Sequence, residues 1–269
     1  MWIWEAKEDA KAIIVMVHGA GEHHGRYEWL CSQWVSKGFH VVMGDLPGQG
    51  LTRRNRGHIH SFDEYIETIE SWVDAAKAFD LPIYLFGHSM GGLAVIRAVT
   101  EKDMPLAAVL LSSPALGIVE KPPVLLDSVS RVINKIYPSL RLRSSRGGPP
   151  KGTRSEDVLK RDAEDALLVR KVSIRWYREL MNAMKQAFQS VHRFPDIPLL
   201  VVQGGNDLIV DKQEVREWFN SLDIMEKAYK EWPALYHEVL NDPERELVFE
   251  YIHQYVELNL VIRQNSHKE

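Results

Sequence analysis

The chain has 269 residues, 45% hydrophobic and 26% charged, enough apolar mass for one large domain or two small ones and too much for a disordered polymer. Its single cysteine, Cys31, excludes an intrachain disulfide framework and a multi-cysteine zinc or iron–sulfur cluster. With 33 basic and 37 acidic residues the formal charge is −4, so no global field draws in nucleic acid.

Charges at Glu5 and Lys7 arrive too early for the apolar core of a signal peptide, and no apolar run approaches the roughly 20 residues of a bilayer span. The expected location is cytoplasmic, with peripheral contact at the inner membrane surface left open. The pattern predicts a strand over 12–17, a helix over 27–37, a strand over 39–44 and a helix over 62–79. A strand over 82–87, a helix over 91–100 and a strand over 106–111 follow. This alternation argues for parallel strands joined by crossover helices, an α/β layered fold.

From 117 to 196 no strand is evident. Helices are expected over 124–136, 155–162 and 171–188, with the Ser-, Gly- and Pro-rich stretch 144–150 as a connector. Alternation resumes with a strand over 197–202, a helix over 212–221, a strand over 227–232 and a helix over 245–260. The expected organisation is therefore a core made of 1–116 and 197–269, interrupted by an inserted helical segment, 117–196. That segment holds 16 Lys/Arg against 9 Asp/Glu, whereas the remainder holds 17 against 28. Such an imbalance fits either a solvated helical surface or a basic lid that approaches anionic headgroups.

Gly87-His88-Ser89-Met90-Gly91 matches Gly-x-Ser-x-Gly with a strand before it and a small-residue helix after it. A sharp strand–helix turn holds such a serine exposed, and glycines at both ends permit close backbone approach. The helix N-terminus adds free N–H groups and a partial positive field that favour a developing oxyanion. Upstream, His18-Gly19-Ala20-Gly21-Glu22-His23 follows a strand directly. The Ala20 N–H, beside that of Met90, is the candidate second oxyanion donor. The loop lacks the Gly-x-Gly-x-x-Gly dinucleotide fingerprint, and no His-Glu-x-x-His helix supports a zinc site at His18, His23 and His24.

A serine nucleophile needs a base, and the base an orienting carboxylate. His237 follows the last predicted strand, while His192 precedes the resumed core, His253 lies in the terminal helix and His267 in the tail. Asp207 follows a glycine turn at the end of the penultimate strand. Its competitor Asp211 reads as the N-cap of the next helix, Asp196 lies before the strand, and Asp45 reads as a stabiliser of its own loop. Ser89, His237 and Asp207 imply two-step acyl transfer requiring no metal or organic cofactor.

Together these residues resemble the monoglyceride lipase and lysophospholipase branch of the α/β-hydrolases, in the group that also contains serine aminopeptidases. His18 to His23 with Arg26-Tyr27 resembles the oxyanion loop of that branch. Arg56-Gly57-His58, Ser61 to Tyr65, Gly87 to Gly92 and Ser113 to Leu116 match further segments. The resemblance implies an α/β-hydrolase fold in which 117–196 is a cap over an acyl tunnel, a monoacylglycerol-type substrate hydrolysed with water, and docking on lipid through the cap. A lysophospholipid is the second substrate choice, since the basic cap accommodates a phosphate. Two segments depart from the family pattern. Gln49 and Thr52 stand in Asp45-Leu46-Pro47-Gly48-Gln49-Gly50-Leu51-Thr52 where His and Ser are usual, and Asp165-Ala166-Leu167 replaces Asp-Pro-Leu.

An acyl tail needs an apolar wall. Leu125, Leu126, Val129, Val132, Ile133 and Ile136 give one candidate face, and Trp176, Tyr177, Leu180, Met181 and Met184 another. The competing reading is that both stripes only pack the cap on the core.

Overall fold

The computed structural model describes residues 1–266 apart from 8, 53, 54, 122 and 144–151, and without the side chains of 124–126, 143 and 266. The predicted connector, His267 and the side chains of Leu125 and Leu126 therefore lie outside the described residues.

Among the described residues, nine strands and eight α-helices alternate along the chain. The strands are β1 (Trp2–Trp4), β2 (Ala12–Val17), β3 (Phe39–Met43), β4 (Ile83–His88), β5 (Leu106–Ser112), β6 (Arg141–Arg143), β7 (Lys171–Ser173), β8 (Leu199–Gly204) and β9 (Lys227–Trp232). The helices are α1 (Glu28–Ser36), α2 (Asp63–Lys77), α3 (Met90–Glu101), α4 (Val124–Ile136), α5 (Glu156–Glu164), α6 (Ile174–Gln189), α7 (Lys212–Ser221) and α8 (Arg245–Ser266). One sheet has the order β1-β3-β2-β4-β5-β8-β9, with only the edge strand β1 antiparallel. This is the mostly parallel sheet of an α/β-hydrolase, with a helical insertion between the neighbouring strands β5 and β8.

Strand chemistry explains the layering. Every residue of β2, β4, β5 and β8 is buried, as expected of parallel strands covered on both faces. Side chains alternate between faces. Ile13, Val15 and Val17 join α2 and α3 in one core, whereas Ala12, Ile14 and Met16 join α1 and α8 in the other. Helix α3 is buried from Met90 through Thr100, because α2 and the insertion helix α6 cover the sides that the sheet leaves.

The insertion departs from the sequence-based expectation in one respect: it contains strands. β6 and β7 pair antiparallel with Arg141 opposite Ser173. At three residues each, they are too short for a two-residue alternation to register. The helix expected from 171 starts at Ile174 instead, where the Ser173 hydroxyl accepts the Trp176 N–H at 3.0 Å as an N-cap. Strand β1, which pairs Trp2 with Met43, was also not anticipated.

Candidate active site

Ser89 sits between β4 and α3 with φ 53° and ψ −120°, a strained conformation that turns the chain sharply from strand to helix. Its N–H donates to Ser112 O, and its carbonyl accepts from Leu93 N and Ala115 N, so the turn is bonded on both sides. The flanking glycines are required by space. A Cβ on Gly87 would lie 2.7 Å from Gly91 O, and one on Gly91 would lie 2.4 Å from His18 O.

The strand ends bring the other groups over this turn. His237, in the loop after β9, places Nε2 2.8 Å from Ser89 Oγ and Nδ1 2.8 Å from Asp207 Oδ2. Asp207 follows β8. Its Oδ1 accepts the amides of Ile209 and Val210, each at 2.9 Å, and its Oδ2 also accepts Gln203 Nε2 at 3.0 Å. All three principal side chains are buried. Burial pushes the Asp207 pKa up, but the imidazole charge and the accepted hydrogen bonds hold it below the usual carboxylate value. Burial pushes His237 down. The Asp207 charge and hydrogen bond, aided by Glu238 and Glu22, more than offset this, and the imidazole lies above its ordinary value. This arrangement can deprotonate a serine hydroxyl and stabilise the resulting imidazolium.

The loop after β2 closes the site from the opposite side. A Cβ on Gly19 would meet Ser89 Cβ at 3.2 Å. His18 Nε2 accepts the Leu46 N–H at 2.9 Å, so the proton is on Nδ1, which donates to Gly19 O at 2.8 Å. A trans peptide points its N–H away from its C=O, so this bond fixes the direction of the Ala20 amide. Neither that amide nor the Met90 amide has a hydrogen-bond acceptor among the described residues. The other loop histidines are engaged as well. His23 Nε2 meets Asp165 Oδ2 at 2.7 Å, and His24 Nδ1 meets Asp45 Oδ1 at 2.8 Å. No group of three or more His, Cys, Asp or Glu suited to a metal occurs among the described residues.

Asp211, Asp196, His253 and Asp45 have structural partners of their own, and His192 is exposed. Asp211 caps α7 by accepting Gln213 N, Asp196 accepts Met225 N, and His253 pairs with Glu257 on α8. Asp45 serves more than its own loop, accepting the amides of both Leu51 and His24. Sequence reasoning missed Gln203 as an Asp207 partner and Gln49 as a clamp. Gln49 Oε1 accepts Gly21 N at 2.8 Å, and its Nε2 donates to Tyr65 Oη, which also accepts Trp176 Nε1 from the insertion. For Gln203 the detectable signal was a polar residue closing the apolar run Leu-Leu-Val-Val-Gln. Of the two apolar faces, Trp176 and Met184 are buried against the core, with Tyr177, Leu180 and Met181 partly so. Val129, Val132 and Ile136 are exposed rather than lining a wall, because α4 packs on α6 through its other side.

The family profile of the serine aminopeptidases, S33, matches residues 8–244. The chain belongs to this family. Its α/β-hydrolase fold, together with its similarity to lipases, marks the protein as a serine-dependent carboxylic-ester hydrolase. Phospholipase YtpA of Bacillus subtilis (strain 168) is 51% identical over 250 residues, spanning 93% of this chain and 96% of that protein. Monoacylglycerol lipase of Mycolicibacterium smegmatis is 27% identical over 263 residues, spanning 94% and 91%. The crystal structure of Paleococcus ferrophilus monoacylglycerol lipase superposes with a TM-score of 0.85 at 31% identity, covering 97% of this chain and 98% of that one. No described helix is long and apolar enough to cross a membrane.

Proposed function

We propose that this S33 hydrolase releases fatty acid from monoacyl phospholipids, with Ser89 as nucleophile, His237 as general base and acid, and Asp207 as its orienting carboxylate. The observation that carries the substrate class is the 51% identity with a phospholipase over nearly the full length of both chains. It reverses the order of the two lipid readings, which on sequence alone favoured monoacylglycerol. Monoacylglycerol remains the second reading, favoured by the similarity to the Paleococcus ferrophilus enzyme.

Ser89 Oγ attacks the ester carbonyl carbon while its proton passes to His237 Nε2, 2.8 Å away. The carbonyl oxygen becomes an oxyanion held by the Ala20 and Met90 amides. On collapse, the ester C–O bond breaks and His237 gives its proton to the departing glycerophosphoryl alcohol. Water, deprotonated by the same imidazole, then attacks the acyl-enzyme and releases the fatty acid with Ser89 restored.

Residues 117–196 act as a cap in this reading, and its outer surface supports peripheral contact with a lipid layer. On and after α4, Val132, Ile136 and Tyr137 are 58%, 78% and 59% exposed, and Leu142 of β6 is 52% exposed. Arg131, Lys135 and Arg141, all exposed, lie among them. Apolar side chains fringed by cations suit an anionic lipid surface.

The test compares fatty-acid release from lysophosphatidylcholine and a chain-matched monoacylglycerol by wild type and Ser89→Ala. Preference for the lysophospholipid, lost in the variant, is the expected result. A strong preference for monoacylglycerol reverses the substrate order, and activity retained in Ser89→Ala overturns the nucleophile.

A further inference from the structure

Immediately behind the proposed base lies a buried charge cluster that the reaction scheme does not use. Arg26, 2% exposed in its side chain, stands at its centre. Its Nη1 donates to Glu22 Oε1, its Nη2 to Glu238 Oε2 at 2.8 Å, and its Nε and Nη2 to the two carboxylate oxygens of Asp162. Each carboxylate comes from a different part of the molecule. Glu22 belongs to the loop after β2, and its second oxygen accepts the Gly19 amide at 3.1 Å and the Tyr27 hydroxyl at 2.7 Å. Glu238 directly follows His237 and is held further by Asn241 Nδ2 and, through its own amide, by Gly152 O. Asp162 lies on the insertion helix α5.

Surface packing does not call for such an arrangement. Burying Arg26 and Glu22 fully and Glu238 and Asp162 in part costs desolvation that attraction among them only partly offsets, and apolar residues of similar volume often serve stability as well or better. What a planar guanidinium adds is direction, because its donors form a rigid fork. The fork here joins the two loops whose separation determines whether the Ala20 amide and the His237 imidazole face the same Ser89. Charge has a second consequence. The three carboxylates outnumber the one guanidinium, and the charges of Glu238 and Glu22 act on the His237 imidazole together with Asp207, whose Oδ2 lies 2.8 Å from its Nδ1, and the His88 ring, with centroids 5.0 Å apart.

We propose that Arg26 is a positioning residue for the hydrolysis, clamping the Glu22 loop to the Glu238 loop so that oxyanion donors and base stay in register, with Asp162 making the clamp complete only when the insertion is docked. The proposal rests on the Ser89–His237 reading of the reaction. A clamp acting through geometry changes kcat more than KM for a small substrate, and the net negative charge it organises favours the imidazolium.

The test uses the full chain with p-nitrophenyl butyrate, following kcat, KM and the pH dependence of kcat/KM, with melting temperature as the control for folding. Arg26→Lys keeps the charge and loses the fork, so it is expected to lower kcat about tenfold with KM within about twofold of wild type. Glu238→Gln removes one negative charge facing the imidazole and is expected to move the acid-side midpoint of the profile to lower pH. Asp162→Asn is expected to lower kcat less than Arg26→Lys does. Folded Arg26→Lys with wild-type kcat overturns the proposal and leaves the cluster a structural one, and an unmoved midpoint in Glu238→Gln overturns its charge effect on the imidazole. Wild type that hydrolyses no ester and takes no serine-directed fluorophosphonate overturns the reaction on which the clamp acts, and the clamp with it.

Discussion

Asp165 Oδ2 accepts a hydrogen bond from His23 Nε2 at 2.7 Å, across 142 positions of sequence. The direction follows from His23 Nδ1, which accepts the Gly25 amide at 3.1 Å and so leaves the ring proton on Nε2. Asp165 belongs to the insertion and His23 to the loop that carries Ala20. The same seam continues where Val169 N donates to Gly21 O and Arg56 Nη2 donates to Leu167 O. Asp165 therefore fastens the insertion to the loop after β2 that carries Ala20, and the Asp-Ala-Leu departure from the family pattern leaves this contact intact. Asp165→Ala is expected to lower stability by about 1–2 kcal/mol in urea unfolding. It should reduce kcat/KM more for a long-chain lipid than for p-nitrophenyl acetate, since only the former needs the insertion docked. Equal losses on both substrates would detach Asp165 from substrate binding.

The pH dependence follows from His237. In the proposed reaction it must be neutral to take the Ser89 proton, and Asp207, Glu238 and Glu22 together hold its pKa above 6.5 against the downward push of burial. The kcat/KM of wild type should therefore rise with pH through a midpoint above 6.5. In Asp207→Asn that midpoint should fall and kcat should drop by about 10³–10⁴. For stability the signs differ between the partners. The raised His237 pKa contributes stability that is complete below pH 6.5 and is lost as pH rises through the folded value. The lowered Asp207 pKa contributes stability that is complete above pH 3.8 and is lost as pH falls through the folded value. Melting temperatures across this range in wild type and Asp207→Asn check both limbs.

Gly91 has no room for a side chain. An added Cβ would stand 2.4 Å from His18 O and 2.5 Å from Val17 O, both backbone atoms of the strand end beside the turn. Neither oxygen can swing aside, so the turn or the strand must shift. Gly91→Ala is expected to destabilise by about 3 kcal/mol and to abolish fluorophosphonate labelling at Ser89. A stable, fully labelled Gly91→Ala would show that the turn tolerates displacement.

Gln203 is fully buried in β8, and its side-chain amide donates to the Asp207 carboxylate at 3.0 Å. Gln203→Leu keeps the volume and removes the donor. A hydrogen bond to a charged group is worth about 1.5–3 kcal/mol, and some of that loss reappears as freedom of Asp207. The expected outcome is about a tenfold lower kcat with little change in KM. Unchanged kcat in a folded variant would leave the two backbone amides as sufficient support for Asp207.

The strands β2, β3, β4, β5, β8 and β9 were legible in the sequence because each is a buried or half-buried run with glycine or proline near its end. The two-residue side-chain repeat and its burial are local signals. Parallel order was legible too, since helical stretches separate successive strands. β6 and β7 were not, because three residues carry no period and their pairing joins segments about 30 positions apart. Exposure of Val132 and Ile136 was equally hidden, because an apolar stripe on a helix does not say whether a neighbour covers it.

From the sequence alone came a serine at a strand–helix turn, a histidine and an aspartate each just past a strand end, and a basic segment interrupting the α/β order. These are properties of spacing and composition. Only the tertiary structure decided that Arg26 joins Glu22, Glu238 and Asp162, that Gln203 supports Asp207, and that Asp165 reaches His23. The contacts of Arg26 with Glu238 and Asp162 and of Asp165 with His23 join segments more than 130 positions apart that the fold brings together, whereas Gln203 and Asp207 are four residues apart across the end of β8. A buried polar side chain takes its partner from whichever backbone or carboxylate the packed core brings within about 3 Å, and sequence distance carries no information about that choice.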